Sequence, residues 1–235
     1  MKEIFDDYIA NSFGDSVQSS AKFRQFLHNY RRFFPNKMDA DILDIGIGRG
    51  EMLSCLKTWG YSKSRGIDIS LSTVNFCRGI NLNVELVSDT ESWLADNVNS
   101  FDVITLLDVL EHINKESLVS FLRAIKNSLK DGGVLIIQTP NAQSPDFQLH
   151  RYNDITHEFC FSEHSLSQLL ITVGFSSFSF SGFEIYVGNK NLFLEFGGRV
   201  LRFIYLFFIR VGRKINTNLN PRILNPVFLV SLKNE

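Results

Sequence analysis

The chain has 235 residues, with 24 basic and 25 acidic side chains and a formal net charge of -1. That length suits one core of ordinary size with appendages, and excludes two equal domains. The charge balance supplies no global field for nucleic acid or an anionic bilayer, and Cys55, Cys77 and Cys160, in no recognisable spacing, argue against a disulfide scaffold or a thiolate metal cage.

The amino end, "MKEIFDDYIANSF", carries acids early and lacks a continuous apolar run of signal-peptide length, so a cytoplasmic location is expected. Ile4, Phe5, Tyr8, Phe23, Phe26, Leu27, Tyr30 and Phe33 recur at helical intervals up to Pro35, which predicts a helical cap over 1–34. Strand and helix patterns then alternate: "DILDIGI", "GEMLSCLKTWG", "SRGIDIS", "LSTVNFCRGI", "VELVS", the amphipathic "TESWLADN", "FDVITLL", "KESLVSFLRAIKNSLK" ended by "DGG", and "VLIIQTP". Repeated βα units of this kind predict an α/β fold, a mainly parallel sheet covered on both faces. Sites in such sheets lie beyond the carboxyl ends of the strands, where Gly46, Asp68, Asp89, Asp108 and Asn141 all fall. Residues 141–164 then turn polar, a loop long enough to carry function. The helix "SEHSLSQLLITVG" and a strand near "FSSFSFSGF" follow, 189–214 reads as a helical hairpin or one long helix, and "NPVFLVSLKN" is a last strand.

The turn "DILDIGIGRG" spaces its glycines G-x-G-x-G, at Gly46, Gly48 and Gly50, where a dinucleotide turn has G-x-G-x-x-G. Asp44 before the turn would repel a pyrophosphate and compete for its backbone N–H donors. It suits instead a cofactor carrying a cation, such as the amino group and sulfonium of S-adenosylmethionine. Asp68 can accept both hydroxyl protons of a ribose, and Asp89 can accept from an adenine amino group.

In order and spacing, "ILDIGIGRG", "GIDIS", "FDVITLLDVLEHI" and "LKDGGVLIIQTPN" resemble the motifs of class I S-adenosylmethionine-dependent methyltransferases, over roughly residues 35–180. The resemblance implies a Rossmann-like three-layer sandwich with a seven-stranded mixed sheet whose last strand, near 227–232, is antiparallel. It implies that Asp44 and Gly46 to Gly50 hold the methionine portion, Asp68 and Ile69 the ribose, and Ser88 and Asp89 the adenine edge, with Asp108 beside the reactive centre. Residues 35–183 then form the core with an acceptor loop at 141–164, and 184–235 a helical insertion plus the final strand.

Hydroxyl methylation wants a base near neutral pKa, and the chain has five histidines: His28, His112, His150, His157 and His164. His28 and His164 fit surface or packing roles. His112, in "DVLEHI", divides evenly between a base and a residue that fixes the loop while Glu111 caps the next turn. The run "RYNDITHEF" resembles a segment of methyltransferases associated with glycan and lipopolysaccharide biosynthesis, through Arg151, Tyr152, Asp154, Thr156 and His157. Asn141, Arg151, Tyr152, Thr156 and Glu158 are the expected acceptor contacts, and His157, oriented by Asp154, is the first-choice base with His112 in reserve. The expected reaction is O-methylation of a sugar or lipid-linked glycan, leaving S-adenosylhomocysteine. The alternatives are a quinone, lipid or other apolar acceptor, suggested by 22 phenylalanines, and a non-catalytic scaffold. No metal is expected, since nothing in the spacing of Asp154, His157 and Glu158 fixes a coordination geometry, and no basic aromatic stripe suggests nucleic acid.

In "LFLEFGGRVLRFIYLFFIRVGRK" the apolar stretch is far shorter than the ~20 residues that span hydrocarbon. Arg199, Arg202, Arg210 and Arg213 share one helical strip beside Lys214. Residues 192–214 therefore either meet the inner surface of the cytoplasmic membrane, or pack against the sheet or a second subunit with the arginines as the wet face.

Overall fold

The computed structural model describes residues 20–185, 191–217 and 221–234; the first part of the predicted cap, 1–19, lies outside them. In chain order the elements are α1 (Ser20–Tyr30), β1 (Asp41–Ile45), α2 (Glu51–Thr58), β2 (Lys63–Asp68), α3 (Leu71–Gly79), β3 (Val84–Leu86), α4 (Thr90–Ala95) and β4 (Phe101–Leu107). They continue with α5 (Leu118–Ser128), β5 (Leu129–Pro140), α6 (Phe147–Tyr152), α7 (Glu163–Val173), β6 (Ser177–Gly182), α8 (Leu192–Thr217) and β7 (Val227–Lys233). The seven strands form one sheet in the order β3-β2-β1-β4-β5-β7-β6. β7 runs antiparallel to both β5 and β6, and the other pairings are parallel. This is the expected Rossmann-like sheet with one reversed strand.

Strand alternation assigns each apolar residue to one of two layers. Leu43, Ile45, Ile104 and Leu106 face a layer closed by α5 and α7, whereas Ile42, Val103, Ile136 and Leu229 face one closed by α1, α2 and α3. α5 shows the cause most plainly: Leu118, Phe121, Leu122 and Ile125 recur on one helical face and are buried on the sheet. The edge strand β6, "SFSFSG", turns Phe178 and Phe180 to the core and its serines outward. α7 begins with a Ser162–Ser165 capping box and ends at Gly174 in the left-handed region, as its sequence predicts.

Two elements differ from the sequence reading. α5 stops at Ser128, and "LKDGG" is the irregular start of β5, with a register shift opposite Phe101 and Val103. A Cβ at Gly133 would stand 2.8 Å from the Lys130 carbonyl and 3.0 Å from that of Phe101, so this bulge, not a helix stop, requires the glycine. Lys130 Nζ closes it by pairing with Asp41 at 2.6 Å and Asp102 at 2.9 Å.

Residues 192–217 form one helix, α8, and it buries none of its side chains. Its polar strip faces the protein: Arg213 donates to the Gln143 carbonyl at 2.5 Å and Arg210 to the Arg222 carbonyl at 3.0 Å. Phe193, Phe196, Leu201, Phe203 and Phe208 point outward, each at least 65% exposed. Within the single chain, the expectation of a helix packed on the sheet through its apolar side, with the arginines as the wet face, is therefore reversed. No described helix is long and apolar enough to cross a membrane.

The sheet order reverses between β1 and β4, which opens a crevice beyond their carboxyl ends. α1 is tied over that crevice. Asn29, 3% exposed, donates to the carbonyls of Gln25 and Glu184 at 2.9 and 3.1 Å and accepts the Glu184 N–H at 2.9 Å. The buried Tyr30 hydroxyl donates to Gln138 on β5. Replacing Asn29 with Ala is expected to cost about 1–3 kcal/mol in urea unfolding, because it removes the two bonds by which this buried side chain holds the Glu184 backbone. An unchanged midpoint would show that α1 is held by its aromatic packing alone.

Candidate active site

The crevice is a cavity of about 450 Å³. Its walls include Asp44, Gly46, Gly48 and Glu51 from the first turn, Asp68, Ile69 and Ser70 after β2, and Asp108 and His112 after β4. α1 adds Lys22, Phe26 and Tyr30, and Phe183 closes the far side.

Gly46, Gly48 and Gly50 all have positive φ, at 74, 48 and 73 degrees. A Cβ at Gly46 would lie 2.3 Å from Val109 Cγ2, so a glycine is what lets the β1 turn meet the β4 exit. Gly50 acts differently. It precedes α2, and a Cβ there would strike Leu82 at 2.3 Å, so it permits packing on the α3 side and lies off the cavity wall.

Asp44 is 2% exposed and accepts the Thr105 hydroxyl at 2.6 Å. Burial pushes its carboxyl up to about 7, against the pull of Thr105, and the negative Glu51 and Asp68 add to the rise. Asp68 accepts the Ser70 N–H at 2.8 Å. Burial raises its pKa, while the backbone N–H groups of Ser70, Ile47, Gly48 and Ile69 favour the charged form. Lys22 Nζ pairs with Glu51 at 2.7 Å. The acceptor set thus suits a ligand that brings a cation and hydroxyl hydrogens: the buried Asp44 and the half-buried Asp68 beside backbone that the glycines leave open.

The adenine edge differs from expectation. Ser88 and Asp89 are exposed and off the wall, and Thr90 takes their place on it. Asp89 is the N-cap of α4, accepting the Ser92 N–H at 3.1 Å and its hydroxyl at 2.7 Å. Asp108 does line the cavity, in the left-handed region at φ 53 degrees, and accepts from Gln138 Nε2 at 2.5 Å.

The predicted acceptor residues are brought together only in part. Asn141 is fully buried; its amide donates to the carbonyls of Ile223 and Asn225 at 3.0 and 2.9 Å, so it pins the loop before β7 and reaches no acceptor. Arg151 donates to the Glu158 carbonyl at 3.3 Å and lies over the Tyr152 ring, while Tyr152 is 74% exposed and Glu158 is exposed. None of the five lines the cavity, buried Thr156 included.

Asp154 takes a different partner from the one expected. The Thr156 hydroxyl donates to Asp154 Oδ1 at 2.6 Å and meets His112 Nδ1 at 2.8 Å, so the carboxylate reaches His112 through Thr156. The His157 ring is oriented by its Nδ1, which donates to the His150 carbonyl at 2.7 Å. The imidazoles of His112 and His157 sit edge to face, centroids 4.7 Å apart. Burial, then His157, pushes His112 down to about 4, so it is neutral at physiological pH. Glu111 caps no turn: it is fully buried and accepts the Thr139 hydroxyl at 3.1 Å. His28 and His164 are exposed on the surface, as expected.

Residues 19–178 match the model of a methyltransferase domain family. The chain belongs to that family. A S-adenosylmethionine-dependent methyltransferase from Archaeoglobus fulgidus has the same fold, with a TM-score of 0.68 at 24% identity over 98% of both chains. A Haemonchus contortus phosphoethanolamine N-methyltransferase 2, solved with S-adenosyl-L-methionine, superposes with a TM-score of 0.62 at 17% identity, covering 97% of this chain and 59% of that one. Among curated proteins, the ubiquinone biosynthesis O-methyltransferases of Colwellia psychrerythraea and Xanthomonas oryzae are 27% and 30% identical over 117 and 115 residues. Each alignment takes in 47% of this chain and 46% or 47% of the relative, so this methyltransferase-domain chain matches about half the length of either.

The sequence reading missed the walls given by Lys22, Phe26, Tyr30, Thr90 and Phe183. Phe26 and Tyr30 were visible only as helix periodicity, Phe183 only as the end of the strand pattern "FSSFSFSGF", and Lys22 carried no signal of its own.

The buried carboxylate gives a pH test. With its carboxyl raised to about 7, Asp44 is ionised at pH 8 and mostly protonated at pH 6. A cationic ligand favours the ionised form, so affinity for S-adenosylmethionine falls as pH drops, by roughly tenfold across that window. Calorimetry at both pH values checks this, and Asp44→Asn should flatten the dependence. A slope that survives in Asp44→Asn assigns the proton to another group.

Proposed function

We propose that the chain transfers a methyl group from S-adenosylmethionine to a hydroxyl on an apolar, ring-shaped acceptor such as a phenolic quinone precursor. The observation that carries this reading is the cavity wall. Its apolar part is made by Phe26, Tyr30, Val109, Ile113, Phe121 and Phe183, with Lys22, Gln25, Thr90 and Gln138 as the polar groups beside them. Phe26, Tyr30 and Phe183 form a row with centroids 5.0 and 6.0 Å apart. A flat ring is well matched to such a slot, whereas a polyhydroxylated sugar would leave hydroxyls against its aromatic faces. The names of the curated relatives lend support. The sugar reading rested on 151–158, whose polar groups bond one another and the backbone instead.

Bound at the first turn, the cofactor supplies an activated methyl group on a positively charged sulfur. Asp44 balances that charge, Asp68 accepts the ribose hydroxyls, and the wall from Phe26 to Phe183 excludes water and aligns the acceptor ring. Alignment of this kind accounts for much of the rate in a two-substrate displacement. His112, on the wall after β4, faces the acceptor hydroxyl, and Asp154 acts on it through Thr156. His112 thereby replaces His157 as the residue nearest the chemistry.

Labelled S-adenosylmethionine offered with a catechol bearing an apolar tail, or with free sugars and sugar nucleotides, tests the acceptor class. Label should enter the catechol at least ~10-fold faster; preference for the sugars would sink the assignment. His112→Ala should lower kcat by ~100-fold or more while the Kd for S-adenosylmethionine changes little. A matched loss of cofactor affinity would instead make His112 a support of the cofactor.

A further inference from the structure

The turn after β4 and the loop 151–158 meet at a point that neither the cofactor nor the aromatic wall uses. Glu111, His112 and His157 each bring one ligand-capable atom there, all within 4.8 Å of one another. The geometry points to a divalent-cation site formed by Glu111, His112 and His157 at the acceptor end of the cavity.

Three observations carry it. Glu111 is fully buried, and its Oε1 has no hydrogen-bond partner among the described residues, although Oε2 is satisfied by Thr139. A buried carboxylate oxygen left in this way is costly unless something positive meets it. The second is the partners behind the ligands. His112 Nδ1 is held by Thr156, itself anchored on Asp154, and His157 Nδ1 by the His150 carbonyl. Outer bonds of this type fix ring orientation and raise basicity in metal-ligating histidines. The third is rigidity. The backbone N–H groups of Glu158 and Phe159 both donate to the Glu111 carbonyl, at 2.8 and 3.2 Å. His157 is thus clamped beside the turn that carries the other two ligands.

One carboxylate and two imidazoles suit Zn²⁺ and neighbouring first-row ions, and three protein ligands leave a coordination position open. His112 lies on the cavity wall, so the ion would adjoin the cavity. This role rests on the methyl-transfer reading above; the binding of an ion does not. An acceptor hydroxyl bound to the ion has a lowered pKa and loses its proton to solvent water. The oxygen's electron pair then forms the bond to the methyl carbon, the carbon–sulfur bond breaks, and its pair returns to sulfur. The imidazoles act as ligands in this step, and His112→Ala is damaging because it removes one.

The experiment is titration of the chelator-treated full chain with Zn²⁺ by calorimetry, and with Co²⁺ by visible absorption. We expect one saturable ion per chain, with a Co²⁺ band that reports nitrogen ligation. His157→Ala and Glu111→Gln should each weaken binding at least ~10-fold while circular dichroism and S-adenosylmethionine affinity stay near those of the parent. No saturable ion in the parent chain, or an ion whose affinity both substitutions leave unchanged, overturns the site. Cofactor affinity is read in the same samples. A chain that binds the ion but not S-adenosylmethionine refutes the methyl-transfer reading alone, and the converse refutes the metal site alone.

Discussion

The contact between Gly46 and Val109 is the constraint on which the site depends. With a Cβ at Gly46 only 2.3 Å from Val109, the β1 turn and the β4 exit can close on each other solely because position 46 has no side chain. β1 and β4 are neighbours in the sheet but lead to helices on opposite faces, so their ends diverge and leave the crevice. The contact sets how far they diverge. It brings the carboxylate end of the cavity, Asp44 and Asp68, within one cavity of Asp108 and His112. The left-handed backbone of Asp108 belongs to the same junction, since a loop leaving β4 in ordinary extended form would continue away from the β1 turn.

Electrostatics follow from that enclosure. Burial raises the cost of charging Asp44 and Asp68, and the negative Glu51 and Asp68 add to it at Asp44. Lys22 offsets Glu51 from above, through α1. Negative charge in the site is therefore held at a cost to stability, which a cation between the carboxylates would relieve. The same logic recurs at the acceptor end, where burial drives the Glu111 carboxyl well above the usual range. Glu111 stands behind the wall, next in sequence to His112, which lines the cavity.

The parts of this arrangement legible in the sequence are those that local chemistry dictates. Alternation and helix period mark the strands and helices, and Asp44, Gly46 and Asp68 are placed at strand ends because the βα pattern puts them there. The reversed last strand came from family resemblance, and nothing in "NPVFLVSLKN" itself reveals direction. Composition misled at residues 151–158. A polar cluster reads the same whether its groups point into a cavity or bond one another, and here Arg151 and Asp154 spend theirs inside the loop. Phe183 and Thr90 illustrate a second limit. Each faces the cavity because of how distant elements pack, and their immediate neighbours carry no trace of it.

α8 shows a third limit, of handedness rather than position. A helical period divides the segment correctly into a cationic strip and an apolar face, but periodicity says nothing about which face turns inward. Inward is decided by what the body offers. Beside α8 it offers the carbonyls of Gln143, in the loop after β5, and of Arg222, on the approach to β7. Arginine, with several donors on a long stem, satisfies such oxygens across a gap that a phenylalanine ring would fill without pairing them. The apolar face is then displaced outward by hydrogen bonding, not by any preference of its own. Its burial contributes little to the folding of the single chain, so the abundance of phenylalanine between 193 and 208 is not explained by the core that the remaining phenylalanines build.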